Sequence, residues 1–463
     1  MTAAAPQVHE RGVFARRVAG VLSTRVTLFV LAFMTSIIVS RLLGREGKGV
    51  YVAVATLPGM LAAVGLFGLP GAVNYFAGKG HSISSLIRAS YLYAVVISII
   101  LVAVVWVLLP VLEGSILRAA SLHDDLLRLM LVSVPLGTLS AFGGSILYGR
   151  QAVRSYNLIQ IAMAAVSLTC VIVLVGVFRL GVPGAVAGSI VVASGTCVLV
   201  MFTTHRLAGR DSAGPRAPMR GLAAYAARIY PASLTGFFSY RADVYVLQAL
   251  ISDPKQAAAM LGLYSMAVTM DELVFYVPDS ITTLFLPRVA GSAPEDSARM
   301  LGRVGRLTFL VTIGVAVCLI PAAYAGIHLV LPAFEPCLPA FLVLLPGVIS
   351  LSVAKVTTSY VSGRGHPGLV SLGTIAALVL NVVLNLFFIP AFGIVGASLA
   401  SVFSYTLQAS FALYFASRLA GQPILSLFVP GRADVGLFFE TLKRLIGQLP
   451  RVRRRGAGRD GAA

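Results

Sequence analysis

Charge is what this chain has least of. Only 11% of its 463 residues are charged, while 58% are hydrophobic; soluble proteins carry about 25% charged residues. That scarcity excludes a soluble globular protein, and the length does not imply several soluble domains because apolar runs consume nearly all of it. Acid is scarcer than base, 17 Asp and Glu against 36 Lys and Arg, for a net charge of +19. The distribution excludes nucleic acid as the partner of that charge. The basic residues sit in short loops between apolar runs, as the positive-inside rule predicts for membrane proteins. Cysteine is sparse too. Cys170, Cys197, Cys318 and Cys337 form no CxxC pair, so they are read as small packing residues with no metal site or disulfide framework. No glycine-rich phosphate loop ending in Lys-Ser/Thr is present, which leaves ATP hydrolysis unsupported. No outer loop is long enough to hold a catalytic centre, and His81, His205 and His366 fall in short inner loops. No catalytic residue, cofactor or enzymatic activity is therefore expected.

What is there is a series of spans. Apolar runs of crossing length occur at roughly 19–40, 49–73, 90–112, 127–148, 156–179, 183–203, 225–250, 259–286, 307–330, 338–361, 367–389 and 393–417, since a crossing helix needs about 20 apolar residues. The basic opening MTAAAPQVHERGVFARR leads into a span with no cleavage-type ending, so the first span is expected to be retained. Arg16, Arg88, Arg150, Arg210, Arg303 and Arg364 fall on one face under this count, and Glu113, Asp124, Asp253 and Glu335 on the other. That asymmetry places both termini in the cytoplasm. Arg41, Arg45 and Lys48, in the first outer loop, are the main exception.

The polar stretch around 204–224 splits the spans six and six, and the pattern then starts over. Residues 181–189 read GVPGAVAGS and residues 393–401 read GIVGASLAS. At the same spacing Arg206-Leu207-Ala208-Gly209 matches Arg418-Leu419-Ala420-Gly421, and Gly49-Val50-Tyr51 is echoed by Gly262-Leu263-Tyr264. Small residues recur in any packed membrane helix, but the shared RLAG favours a true repeat. The expected fold is an all-α polytopic membrane protein. About twelve transmembrane helices form two parallel six-helix bundles around a central cavity. The divisions are 1–17 as a cytoplasmic tail, 18–209 as the first bundle, 210–224 as a linker, 225–421 as the second bundle and 422–463 as a tail. Within that tail, 434–450 has the spacing of an amphipathic helix lying on the inner membrane surface, followed by a basic end suited to anionic lipids.

The span 225–250 carries Arg241 and Asp243 well inside its apolar run. Each charge in mid-membrane costs on the order of 3 kcal/mol, so the pair points to a water-filled cavity. From here the residues become familiar. RADVYVLQAL, LGLYSMAVTMDEL and TTLFLPRVA, with VSRLLGREGKGVYVAVATLPGML and GLFGLPGAVNYFAG near the start, resemble the O-antigen type polysaccharide flippases. These are a family of the multidrug/oligosaccharidyl-lipid/polysaccharide exporter superfamily, and the resemblance covers about 15–420. It implies a substrate of undecaprenyl-pyrophosphate-linked oligosaccharide moved from inner to outer leaflet by alternating access. It also implies membrane lipids and polysaccharide polymerase or assembly proteins as partners. A cation-coupled multidrug or small-molecule antiporter of the same superfamily is the alternative. The absence of a buried acid in the first six spans counts against it.

A flippase needs cations for pyrophosphate and polar groups for sugars, and arginine suits phosphate because its planar fork donates in pairs. Arg25, Arg241, Asn74, Asn381 and Lys355 are the candidate substrate-binding residues; Asp243, Asp271, Glu272 and Asp279 are the candidates for ion coupling. Buried carboxylates can carry a proton or bind sodium. Each has a plainer alternative. Arg25 and Lys355 can snorkel to the interface. The acids can form structural salt bridges with Arg241 or Lys355, and the asparagines can glue helices together.

Overall fold

The computed structural model describes residues 5–210, 214–432 and 434–436; the side chains of 5–23, Arg25, Arg210, Ala232, Val277, Thr283, Leu284 and Pro287 lie outside the described residues. Among the described residues every regular element is helical. In the half before the linker these are α1 (Ala5–Gly65), α2 (Leu69–Gly78), α3 (Ile83–Ser115), α4 (Asp124–Met130), α5 (Ser133–Gly149), α6 (Val153–Cys170) and α7 (Gly181–Arg210). After it come α8 (Met219–Leu250), α9 (Pro254–Asp271), α10 (Tyr276–Ala290), α11 (Pro294–Val330), α12 (Leu338–Gly363), α13 (Pro367–Ala420) and α14 (Ile424–Phe428). Eight helices among the described residues are long and apolar enough to cross a membrane, nine if the bent pair over 120–149 counts as one span. α1 and α13 are each two helices merged across a kink, at Gly44 and Gly393. α8 starts at Met219, so the end of the expected linker 210–224 is already helix. Of the expected amphipathic helix 434–450, all but 434–436 lies outside the described residues, as does the basic end.

Local chemistry sets several boundaries. Asp253 caps α9 by accepting from the backbone N–H groups of Lys255 and Gln256, with Pro254 at the first helical position, where its missing N–H costs nothing. The repeat read from the sequence is visible in the backbone. Gly181 and Gly393, which open the two matched segments, both adopt left-handed φ, 63° and 59°. That conformation costs other residues roughly 1–2 kcal/mol.

The halves meet through α1 and α9. A Cβ on Gly49 would overlap the Ala258 carbonyl, and one on Gly262 would overlap the Arg45 carbonyl. The same spacing separates Arg45 from Ala258 as Gly49 from Gly262, so the contact is reciprocal, as in a two-fold interface. One buried core joins both halves at this end, from Leu57 and Leu127 to Leu261, Met266, Phe334 and Cys337. The Arg118 guanidinium reinforces it by donating to the Ile251 carbonyl (3.1 Å), and the Ala119 N–H by donating to Gln248 Oε1 (3.2 Å).

At the linker end the cores are separate. One contains Ala72, Phe76, Leu86 and Phe142 of the first half. The other contains Phe285, Leu301, Tyr360 and Leu427 of the second. α8 straddles the division. Its first turns pack on α2 of the opposite half, where Leu222 and Ala226 join the first-half core, Tyr225 stacks on Tyr75 (4.5 Å) and Tyr230 on Phe67 (4.2 Å). Its last turns pack on α13. Beyond α13, Arg306 of α11 pins the returning chain. Its guanidinium donates to Asp434 Oδ2 and to the Ser426 carbonyl, both at 2.7 Å.

Candidate functional site: a chamber between the two halves

Beneath the shared core lie two neighbouring cavities with Ala32 and Thr35 of α1 as a common wall. The smaller, about 420 Å³, lies between α1, α8 and α9 and holds Lys48, Arg241 and Glu272. The larger, about 840 Å³, extends into the first half between α1, α6 and α7.

Lys48 is the feature the sequence reading missed, having been placed in an outer loop. The turn at Gly44 returns the chain so that Lys48 lies inside the protein at the cavity's closed end, only 3% exposed. Its ammonium donates to Met266 Sδ (3.2 Å) and Ser36 Oγ (3.3 Å) and stands 5.4 Å from the Phe334 ring centre. Neither partner is a carboxylate, so its charge is uncompensated there, and a buried charge without a partner is costly. The available signal was its standing as an exception to the charge asymmetry of the loops.

Arg241 lines the same cavity, 3.8 Å from Glu272. That is a long, half-exposed ion pair that leaves most of the guanidinium's donors uncommitted. The side chain of Arg25 lies outside the described residues. Lys355 does not snorkel: it bonds Asp279 Oδ1 at 2.7 Å and its ammonium lies 4.1 Å from the Phe275 ring centre. The plainer salt-bridge reading therefore describes Lys355 with Asp279 and Arg241 with Glu272. Asn74 is exposed on α2 and lines neither cavity.

Asp243 lies off the cavity in a buried polar cluster between α8, α9 and α13. Its Oδ2 accepts from Tyr264 Oη (2.6 Å) and Ser401 Oγ (2.9 Å), and its Oδ1 from Asn385 Nδ2 (2.6 Å). Asn381 belongs here too: its Oδ1 accepts from Asn385 (3.0 Å) and its amide approaches Ser401 and Ser404 at 3.4 Å. Asn385 Oδ1 is buried without a donor. The cluster thus sets one carboxyl among neutral hydroxyls and amides, with one amide oxygen unsatisfied among the described residues. No group of three or more His, Cys, Asp or Glu is placed to hold a metal among the described residues.

The repeat makes this cluster interpretable. In the first half the matching tyrosine and serine, Tyr51 and Ser189, bond each other directly at 3.0 Å. In the second half Asp243 bridges Tyr264 and Ser401, while the positions at the repeat spacing in the first half, Val30 and Leu31, are apolar. Asp271, beside Glu272, turns away from the cavity. It is 1% exposed, and neither carboxyl oxygen has a hydrogen-bond partner among the described residues.

Comparison with known proteins agrees with this architecture. Residues 16–285 match the model of the polysaccharide biosynthesis protein family. A search of curated proteins finds no match. Among solved structures, the chain resembles the lipid II flippase MurJ in an inward closed conformation, with a TM-score of 0.68 at 12% identity over 92% of each chain. It also resembles an inward-facing multidrug resistance MATE family transporter of the MOP superfamily, with a TM-score of 0.61 at 15% identity over 86% of this chain and 98% of that one. A MOP superfamily transporter from Pyrococcus furiosus matches with a TM-score of 0.60 at 16% identity, over 88% and 95%. At such identities the likeness establishes the fold alone, one that these transporters and this chain have in common. The family match covers more than half the sequence, and the chain belongs to the polysaccharide biosynthesis protein family.

Proposed function

We propose that the chain is a flippase moving undecaprenyl-pyrophosphate-linked oligosaccharide from the inner to the outer leaflet of a bacterial inner membrane by alternating access. The observation that carries this reading is the chamber between the repeats, sealed at one end by the α1–α9 seam and holding Lys48 and Arg241. Cations without tight counter-ions in a low-dielectric site favour a diphosphate strongly. Arg25 of α1, whose side chain lies outside the described residues, remains a third candidate cation for the substrate. Counting the halves of α1 and α13 separately, with the bent pair and α8 added, gives twelve spans in two bundles of six. Both termini then lie in the cytoplasm, the α1–α9 seam faces outward, and polymerase and assembly proteins receive the product there.

Coupling to an ion is assigned to the second half. Asp243, with Asn381, Asn385 and Ser401, has the oxygens for sodium. Asp271 lies where no donor compensates a charge, which suits a proton. Glu272 and Asp279 act through their pairs with Arg241 and Lys355. These assignments imply that filling the Asp243 cluster draws α8, α9 and α13 together and biases the bundles' relative orientation.

Purified protein in vesicles tests the reading with a fluorescent prenyl-diphosphate-linked oligosaccharide. The expected result is protein-dependent movement of the probe between leaflets, accelerated by a sodium or proton gradient. Ion-driven efflux of small cationic drugs with no movement of the lipid-linked probe overturns it in favour of the antiporter.

A further inference from the structure

The two cavities differ in chemistry. All the cations and the acid belong to the smaller one; every described side chain lining the larger is uncharged. Its polar groups come mostly from α5 and α6: Tyr148, Tyr156, Asn157, Gln160 and Ser167, with Thr196 of α7 opposite. Tyr156 and Gln160 support one another, the Gln160 amide donating to Tyr156 Oη at 2.8 Å. The rings of Tyr148 and Tyr156 stand 4.9 Å apart, inclined by 55°. Asn157 and Ser167 have no hydrogen-bond partner among the described residues.

Such a lining selects its ligand. An open amide offers two donors and one acceptor, and a hydroxyl offers both functions. A sugar hydroxyl is likewise donor and acceptor, so neighbouring hydroxyls of a pyranose pair with amides without leaving a group unsatisfied. The C–H faces of sugar rings pack on tyrosine rings. A volume near 840 Å³ lies toward the upper end of ordinary ligand cavities, large enough for several sugar units. An ionised sugar, by contrast, finds no described counter-ion there. Bringing its charge out of water without a partner is disfavoured.

We propose that the larger chamber is the glycan subsite and that it takes uncharged sugars, the smaller chamber taking the diphosphate; this rests on the flippase reading above. Division of labour follows from the shared wall at Ala32 and Thr35, where the sugar–phosphate junction of one ligand passes between the chambers. The glycan then sets specificity through α5 and α6, while Lys48 and Arg241 recognise what all such lipids share.

Binding to purified protein in nanodiscs tests this with three probes on the same prenyl chain: diphosphate without sugar, diphosphate-linked neutral disaccharide, and the same disaccharide with one residue oxidised to a uronic acid. Wild type should bind the neutral-sugar probe at least tenfold more tightly than the sugar-free probe, and the uronate should lose that gain. Asn157→Ala combined with Gln160→Ala should bring the neutral probe down to the sugar-free level. Retained binding of the sugar-free probe shows that the variant is folded, and Asn157→Gln should recover part of the gain. Equal affinity for neutral and uronate probes, or a gain that survives the double substitution, overturns the proposal while leaving the flippase reading intact. No binding of any prenyl diphosphate to wild type sinks the flippase reading itself, and this inference with it.

Discussion

Lys48 has the least support from its surroundings of any charge in the chamber. Two weak acceptors and an aromatic ring hold its ammonium, so its role is expected to lie with a ligand. Charge-assisted hydrogen bonds are worth about 1.5–3 kcal/mol. Lys48→Ala should therefore weaken binding of a prenyl diphosphate by roughly ten- to hundredfold without loss of thermal stability, since a costly buried charge is removed, as measured by titration and by unfolding in detergent. Asp243 differs in having three donors committed to it. Asp243→Asn keeps the shape and removes the charge. Vesicle assays should show transport persisting at a basal rate while its dependence on the ion gradient disappears; an unchanged gradient dependence would place coupling elsewhere. Both residues show what composition could and could not tell. The cost of burying charge identified Arg241 and Asp243 as functional candidates from one span alone. Whether a residue faces the chamber or a neighbouring helix depends on helix rotation and on turns such as Gly44. For this reason Lys48 passed as a loop residue.

Among the elements, the two repeat-opening glycines make a matched pair. Gly181 has nothing within 4 Å of where a Cβ would lie, and Gly393 meets only Met260 Cε at 3.5 Å, an ordinary contact. Space is thus not limiting at either, and the backbone alone sets the cost. Gly393, at φ 59° and ψ −133°, also departs from the left-handed helical region, into backbone that glycine adopts far more readily than other residues. Gly181→Ala should destabilise the protein by about 1–2 kcal/mol and Gly393→Ala by at least as much, about 1–3 kcal/mol, read as shifts in unfolding midpoint; an unchanged midpoint for Gly393→Ala would show that its backbone relaxes without cost. The strap after α13 carries a pH dependence. Partial burial pushes the Asp434 carboxyl up, but its hydrogen bonds from Arg306 and the Gly431 N–H, with the charges of Arg306 and Arg303, outweigh that and hold it below its ordinary value of 3.8. A carboxyl depressed on docking stabilises the docked form above its free value, and that contribution is lost as pH falls through the docked value. The strap should thus stay docked at neutral pH and loosen only in acid below about 3.8. Asp434→Asn should loosen it at pH 7, both read by hydrogen exchange over 424–434. The helices themselves were legible because apolar length is a direct consequence of the bilayer. The docking of 424–428 on α11 was not, since it depends on partners far away in sequence: Leu301 beside Leu427, Phe309 against Phe428, and Arg306 on the Ser426 carbonyl.

For the whole molecule, the repeat was the most informative feature of the sequence. GVPGAVAGS and GIVGASLAS both begin at a glycine of positive φ, and the fainter Gly49/Gly262 echo fell on the seam between α1 and α9. What no periodicity could disclose was the asymmetry: one end shares a core, the other keeps two. Gly262→Val inserts a branched side chain where the Arg45 carbonyl now lies, and the seam should fail to close. A cysteine placed at Ser36 in a cysteine-free background should then become reactive to a bulky polar maleimide added from the seam side. In the unsubstituted protein it should stay protected. Labelling equal in both would mean that the seam does not seal the chamber.

α8 adds a mechanical consequence. Its two ends are gripped by opposite partners, the opening turns by α2 and the closing turns by α13, with Pro231 and Gly236 lying between the grips. Any swing of one half against the other must be absorbed as flexure of that middle segment. The helix is thereby a leaf spring, and its stiffness sets how far the two jaws travel.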